Sequence, residues 1–325
     1  MRHISTLRAI CCIALAAQVV SAIAFAQSPA EKTQATAGER GKSQDRQIEI
    51  EQIAQRFKNQ ETKVQSFRVK TSAEVRQRTG LKPDGPELTR KITTTFAVDE
   101  RGRIRSTEDG GRPGLVGTAE VHEQREVAVF DGKLVRMLRG KTEFDWGYIG
   151  PDESRIPREV DPREYLLHYF HEPLSVTLTN EEYRIAGREM WLGRPVVRVE
   201  SKPIVNRGDA RQVRLLLDPE RDWTPLFRGV WIRFGNEGDW HQYTGIETSE
   251  HTQTRDGVWL PRHGLYTSLL VNNEQAKTKQ EPKIAWRYSV TFEDWELHPK
   301  FNDDDFSLEF PKGIFVQDES GSSAN

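Results

Sequence analysis

From Ile284 to Leu297 apolar and polar residues alternate with a period of two, and this run constrains the fold more than any other part of the chain. It predicts one long strand. Ahead of it, Asp256-Gly257-Val258-Trp259-Leu260-Pro261 is a turn feeding a strand. Behind it, Asn302-Asp303-Asp304-Asp305 is an acidic turn, followed by Pro311, Gly313 and a short terminal strand around Val316 and Asp318. Taken together, Asp256 to Asp318 predicts the closing edge of a large antiparallel sheet.

The rest of the chain has the same grammar. Lys91 to Val98 is β-branched, Asp99-Glu100-Arg101-Gly102 is a turn, and Arg103 to Ser106 returns. Glu126 to Phe130 and Lys133 to Leu138 flank Asp131-Gly132, a two-residue hairpin signal that predicts positive φ at both central residues. Further strands are predicted at Tyr183–Ala186, Pro195–Glu200, Gln212–Leu217, Phe227–Phe234, Trp240–Glu247 and Val258–Ser268. Gly80 to Pro86, Asp109 to Gly117 and Gly147 to Arg158 are Gly/Pro-rich and predict loops or insertions.

Helical spacing occurs in only two places. Ile50, Ile53, Phe57 and Val64 recur at helical intervals among charged residues, predicting one amphipathic helix from Gln47 to Lys63. Asp161-Pro162-Arg163-Glu164 has the order of a helix start, and Leu166, Tyr169 and Phe170 give the predicted Pro162 to Phe170 helix an apolar face before Pro173 ends it.

The 325 residues suffice for one large β domain. Residues 1–26 have the pattern of an export signal: Arg2 and Arg8, an apolar core from Ala9 to Val20, and Ala24-Phe25-Ala26 as the cleavage site. The expectation is a periplasmic or secreted protein cut after Ala26, with a polar, disordered leader at 27–46, one domain at 47–318 and a disordered tail at 319–325. No stretch of the mature chain is apolar enough for a transmembrane anchor. Both cysteines, Cys11 and Cys12, lie inside the signal, so the mature chain has no thiol chemistry. Removing Arg2 and Arg8 from 47 basic residues, against 49 acidic ones, gives a formal charge of −4 and no nucleic-acid footprint.

Three separated segments carry a family resemblance: a helix running into Val64-Gln65-Ser66-Phe67-Arg68-Val69, the strand end Leu217-Asp218-Pro219 with its charged turn and Pro225, and the terminal run from Asp256 to Asp318. In this order they resemble the periplasmic lipoprotein-sorting carriers, the LolA/LolB-like superfamily. The resemblance implies a mainly β fold, a curved and partly closed antiparallel sheet or half-barrel with two short covering helices. It also implies a non-catalytic binder of a lipid, acyl chain or lipoprotein-like amphiphile. Two other readings stay open: an interaction or sensor module with an envelope protein partner, and an envelope enzyme with an unrecognised carboxylate site.

No cofactor is expected, since no phosphate-loop, dinucleotide, nucleophile-elbow or redox motif occurs in the mature chain. Glu164, His168 and His171 share a helical stripe, but its outer members lie two turns apart, so a polar helix face is the favoured reading over a metal site. Asp303-Asp304-Asp305 lacks calcium-loop spacing and is read as a turn that breaks edge pairing. The candidate binding surface is a hydrophobic hollow lined by Ile53, Phe57, Leu166, Tyr169, Phe170, Trp259 and Trp286. Trp286 and Tyr288 have even separation and share a face. The opposing expectation is that all of these only complete a solid core.

Overall fold

A computed structural model describes residues 37–78, 85–113, 121–141, 143–156, 160–169, 171–180, 182–206, 208–235, 238–271 and 282–321. The chain divides into Met1–Ile48 and Glu49–Asn325, and the sheet belongs to the second unit. The expected signal peptide lies outside the described residues, as do positions 27–36 of the expected leader, 80–84, 114–117 and 157–158 of the expected loops, Phe170, and 322–325 of the expected tail.

Helix α1, Ala37–Lys63, starts ahead of the predicted Gln47, so residues 37–46, expected as leader, are helical. The Val64 N–H donates to the Glu61 carbonyl (3.1 Å), and the chain enters a strand almost at once. Six strands come next as a meander: β1 (Phe67–Arg78), β2 (Glu87–Val98), β3 (Ile104–Pro113), β4 (Val121–Phe130), β5 (Val135–Gly140) and β6 (Phe144–Gly150). A connector carries the short pair β7 (His168–Tyr169) and β8 (Glu172–Pro173) and helix α2 (Leu174–Asn180). A second series comprises β9 (Tyr183–Trp191), β10 (Arg194–Ser201), β11 (Ile204–Asn206), β12 (Asp209–Asp218), β13 (Thr224–Arg233) and β14 (Trp240–Ser249). It ends with β15 (Thr252–Gln253), β16 (Trp259–Leu260), β17 (His263–Leu270) and β18 (Lys283–Leu297), and β19 (Phe315–Asp318) comes last.

The two series form one sheet because β1 pairs with β18, Phe67 opposite Leu297. The strand order is β19-β6-β5-β4-β3-β2-β1-β18-β17-β14-β13-β12-β10-β9, so the sheet is mainly β, antiparallel, curved and not closed into a barrel. This corrects one expectation: the alternating run lies at the sheet's centre, not its edge. A strand that long finds a partner on both sides. The edge role falls to β19, which pairs in parallel with β6, Phe315 opposite Trp146.

Four local expectations are also corrected. Asp109 to Pro113, expected as loop, continues β3 opposite β4. Glycine is what permits it, because a Cβ on Gly110 would lie 2.4 Å from the Lys91 carbonyl oxygen. Gly147 to Gly150, expected within an insertion, belongs to β6, and Val258 to Ser268 is broken at Pro261 into β16 and β17. The Asp131-Gly132 hairpin exists, yet only Gly132 has positive φ (97°). The turn is stretched over Asp131 to Leu134 because the Asp131 carboxylate accepts from the Lys133 and Leu134 N–H groups, both at 3.0 Å.

The connector is not the predicted helix. Pro162–Tyr165 is one 3-10 turn, its Asp161 cap accepting from the Arg163 N–H as the sequence implies. Leu166 then leaves helical backbone (φ −101°, ψ −94°), and the chain makes the β7–β8 hairpin. The helix comes after Pro173, as α2. Proline here precedes a first turn instead of ending a last one.

Topology decides what covers the sheet. β6 lies next to one edge and β9 forms the other, so residues 151–182 must travel the width of the sheet to join them. Their apolar side chains and those of α1 fall in one buried cluster with Val69 and Val75 of β1 and Val290 and Phe292 of β18. Connector and helix therefore share the concave face. On the outer face, the segment after β18 crosses back toward β6, with Phe306 buried and the Phe310 ring against Gly147.

Candidate functional site

The concave face is built by alternation. Phe67, Val69, Ala73 and Val75 of β1, Ile92 and Phe96 of β2, and Tyr288, Val290 and Phe292 of β18 point to it. Ile50, Ile53 and Phe57 of α1 pack on this face with Tyr165, Leu166, Leu167, Tyr169, Leu174 and Leu178 of the connector. Of the candidate residues, Ile53, Phe57, Leu166 and Tyr169 thus meet in one cluster. Trp286 packs at its margin, stacked on Tyr288 with centroids 6.3 Å apart and planes 4° apart. Trp259 stands beside it, lining a gap with Val64, Leu166, His251 and Val258. That gap holds about 10 Å³, so the hollow is filled by its own cover.

The cover is attached by side chains. Gln60 Nε2 donates to the Asp222 backbone carbonyl (2.8 Å) and carboxylate (2.6 Å), and Arg56 reaches the same carboxylate at 3.1 Å. Asp222 can present both groups because it stands in left-handed backbone (φ 50°) at the end of the Pro219–Arg221 turn. The Glu61 carboxylate accepts from the Ser175 N–H at 3.0 Å, tying α1 to α2, and burial pushes its pKa up against that hydrogen bond. Tyr165 packs on the sheet at Gly264, where a Cβ would stand 2.3 Å from the ring, and its ring meets Phe292 edge-on at 5.2 Å between centroids.

Beneath the connector lies a residue absent from the sequence-based candidates. Arg228 of β13 is buried, and its Nη1 donates to the carbonyls of Leu166 (3.2 Å) and His168 (2.7 Å). Desolvation lowers its pKa to about 10, which leaves it a cation at neutral pH. Among the described residues, no carboxylate forms an ion pair with it, and its Nη2 is buried without a hydrogen-bond partner. A signal existed: in Leu226-Phe227-Arg228-Gly229-Val230 a charge occupies an otherwise apolar strand.

Glu164, His168 and His171 are brought together by the hairpin, not by a helical stripe. His171 Nδ1 is 3.1 Å from Glu164 Oε1, and His168 Nδ1 is 3.3 Å from the His171 carbonyl oxygen. Among the described residues, no group of three or more His, Cys, Asp or Glu is placed to hold a metal ion. Asp305 forms a capping box with Asn302, and Asp303 pairs with Arg103 at 2.8 Å, so the acidic turn is satisfied locally.

His251 borders the small gap. Burial, and then the neighbouring Arg221, lower its pKa to about 4 from 6.5. Because the folded value is the lower one, its contribution to stability is complete above about pH 6.5 and is lost as pH falls toward 4. Between pH 7 and pH 4.5 the wild type should therefore lose about 2 kcal/mol more than His251→Gln, measured by urea unfolding at both values. Equal losses in the two proteins would remove His251 from the acid response.

By backbone the chain is similar to a DUF1329 family protein from Desulfovibrio piger, at 12% identity and a TM-score of 0.42, covering 81% of this chain and 97% of that one. It is also similar to a putative outer membrane lipoprotein-sorting protein domain from Vibrio parahaemolyticus (11% identity, TM-score 0.43, covering 80% and 97%). A third similar structure is LprF from Mycobacterium bovis (12%, 0.31, covering 78% and 95%). The likeness is one of backbone. No family model and no curated protein matches the sequence.

Proposed function

We propose that the domain is a non-catalytic binder of an acyl chain or similar amphiphile, which enters the concave face by displacing the cover. The observation that carries this reading is how the cover is held. α1 and the connector bury a continuous apolar surface against the sheet, and side chains such as Gln60, Glu61 and Arg228 make the attachments. A cover held this way is lifted more readily than a strand is drawn from a ladder, and an apolar guest offers the sheet the same kind of surface.

Titration with a fluorescent fatty-acid probe tests it. The folded wild type should take up probe saturably, and loosening the cover should tighten uptake. If neither the wild type nor a loosened variant binds, the carrier reading goes and a protein-interaction module replaces it. A specific observation favours that second reading: β9 is an edge strand, and Met190 and Leu192 beside its turn are largely exposed.

Localisation in the periplasm or outside the cell is part of the same proposal. It rests on the signal-like residues 1–26, and among the described residues no helix is long and apolar enough to cross a membrane. N-terminal sequencing of exported material should begin at Gln27. A sequence beginning at Met1 would remove the processing step.

A further inference from the structure

A second concavity lies on the outer face, away from the cover, and it is open where the first is filled. It measures about 190 Å³ and is lined by Arg68, Thr95, Ala97, Arg105, Thr107, Phe301 and Asp305. The sheet register explains the grouping. Arg68 stands directly opposite Ala97, and Ala97 opposite Arg105, so two arginines flank a small residue across three strands. In the adjoining row Thr95 stands directly opposite Thr107. All five alternate with Phe67, Phe96, Ile104 and Ser106, which are buried on the other side. The segment after β18 forms the remaining wall.

The lining is rich in donors. Arg105 Nη1 donates to the carbonyls of Asp305 (3.2 Å) and Ser307 (3.1 Å), which aims the guanidinium across the pocket without neutralising it. Arg68 Nη1 meets Glu296 at 3.3 Å, and its guanidinium lies 5.1 Å from the centre of the Phe301 ring. The remaining N–H groups of both arginines have no protein acceptor among the described residues, and the two threonines stand in the next row along the strands. The one lining carboxylate, Asp305, is already engaged by the Asn302 N–H at 2.8 Å. The two arginine-bearing strands are about 10 Å apart, two sheet spacings, so a small ligand over Ala97 is within reach of both side chains.

We infer that this pocket binds a small oxyanion of the phosphate type, gripped by Arg68 and Arg105 with Thr95 and Thr107 donating to its oxygens. Two arginines on either side of Ala97 with two threonines in the adjoining row suit a tetrahedral anion with acceptors in several directions. The site is independent of the concave face. Its ligand is either a soluble phosphate or the phosphate of a lipid headgroup.

Inorganic phosphate titrated into the full chain at constant ionic strength, followed by calorimetry or amide chemical shifts, should show one saturable site. Arg105→Gln should weaken it at least tenfold. Because Arg105 also holds the Asp305 and Ser307 carbonyls, Thr107→Val serves as the second variant and should weaken binding severalfold with an unchanged melting temperature. No saturation in the wild type at tens of millimolar phosphate, or wild-type affinity in both variants, would overturn the inference. Cosedimentation with phosphatidylglycerol vesicles but not phosphatidylcholine vesicles, lost in the same variants, identifies a headgroup. Phosphate binding without cosedimentation identifies a soluble ligand.

Discussion

Phe57→Ala is expected to lower the free energy of unfolding by about 3–5 kcal/mol, the range for removing a fully buried aromatic ring. Phe57 is 0% exposed, on the stripe of α1 that also holds Ile50 and Ile53, and its ring fills space between helix and sheet. Chemical unfolding at pH 7 measures the effect, with Gln55→Ala on the exposed side of the helix as control. A loss below about 1 kcal/mol would mean that α1 is not seated on the sheet as described.

Arg228→Met should act on the cover more than on the sheet. The substitution removes a buried cation, whose desolvation is unfavourable, and leaves the Leu166 and His168 carbonyls without their donor. Methionine can pack where the stem of arginine packed, so the β13 ladder should hold. The connector loses two charge-assisted hydrogen bonds, and its local opening free energy should fall by about 3 kcal/mol. Amide exchange at residues 165–178 should then accelerate about a hundredfold while β1 and β18 keep their protection. The same variant should bind the fatty-acid probe more tightly than wild type. Unchanged exchange in the connector would refute the role given to Arg228.

The strands are legible in the sequence because each alternates between a wet and a dry face, and from Tyr183 to Glu247 the pattern matches the structure almost strand for strand. Alternation reveals which residues face the core, but not which strand is the neighbour. Ile284 to Leu297 therefore has the pattern of an edge as much as of a centre, although β1 and β17 both pair with it. The connector defeats local pattern for a different reason. Asp161-Pro162 starts a 3-10 turn as readily as an α-helix, and the path of the chain beyond that turn is fixed by distant contacts, Tyr165 over Gly264 and Arg228 under Leu166. Ile53, Phe57, Leu166 and Tyr169 are identifiable as apolar stripes. Whether they line a space or fill one depends on a register between elements that no local pattern encodes.

The pairing of β1 with β18 also dictates an order of events. Closing Phe67 onto Leu297 encloses about 230 residues of chain, an entropic cost of about 5 kcal/mol if nothing between them is yet ordered. The hairpins of each half form within short loops and escape most of it, so the two half-sheets should assemble first and the central seam zip last. Until then β1 and β18 each present a bare edge, the state most open to mispairing with another chain. The wide sequence separation of this one pairing should slow folding, and the most vulnerable stage should be the one unfinished at the middle of the sheet.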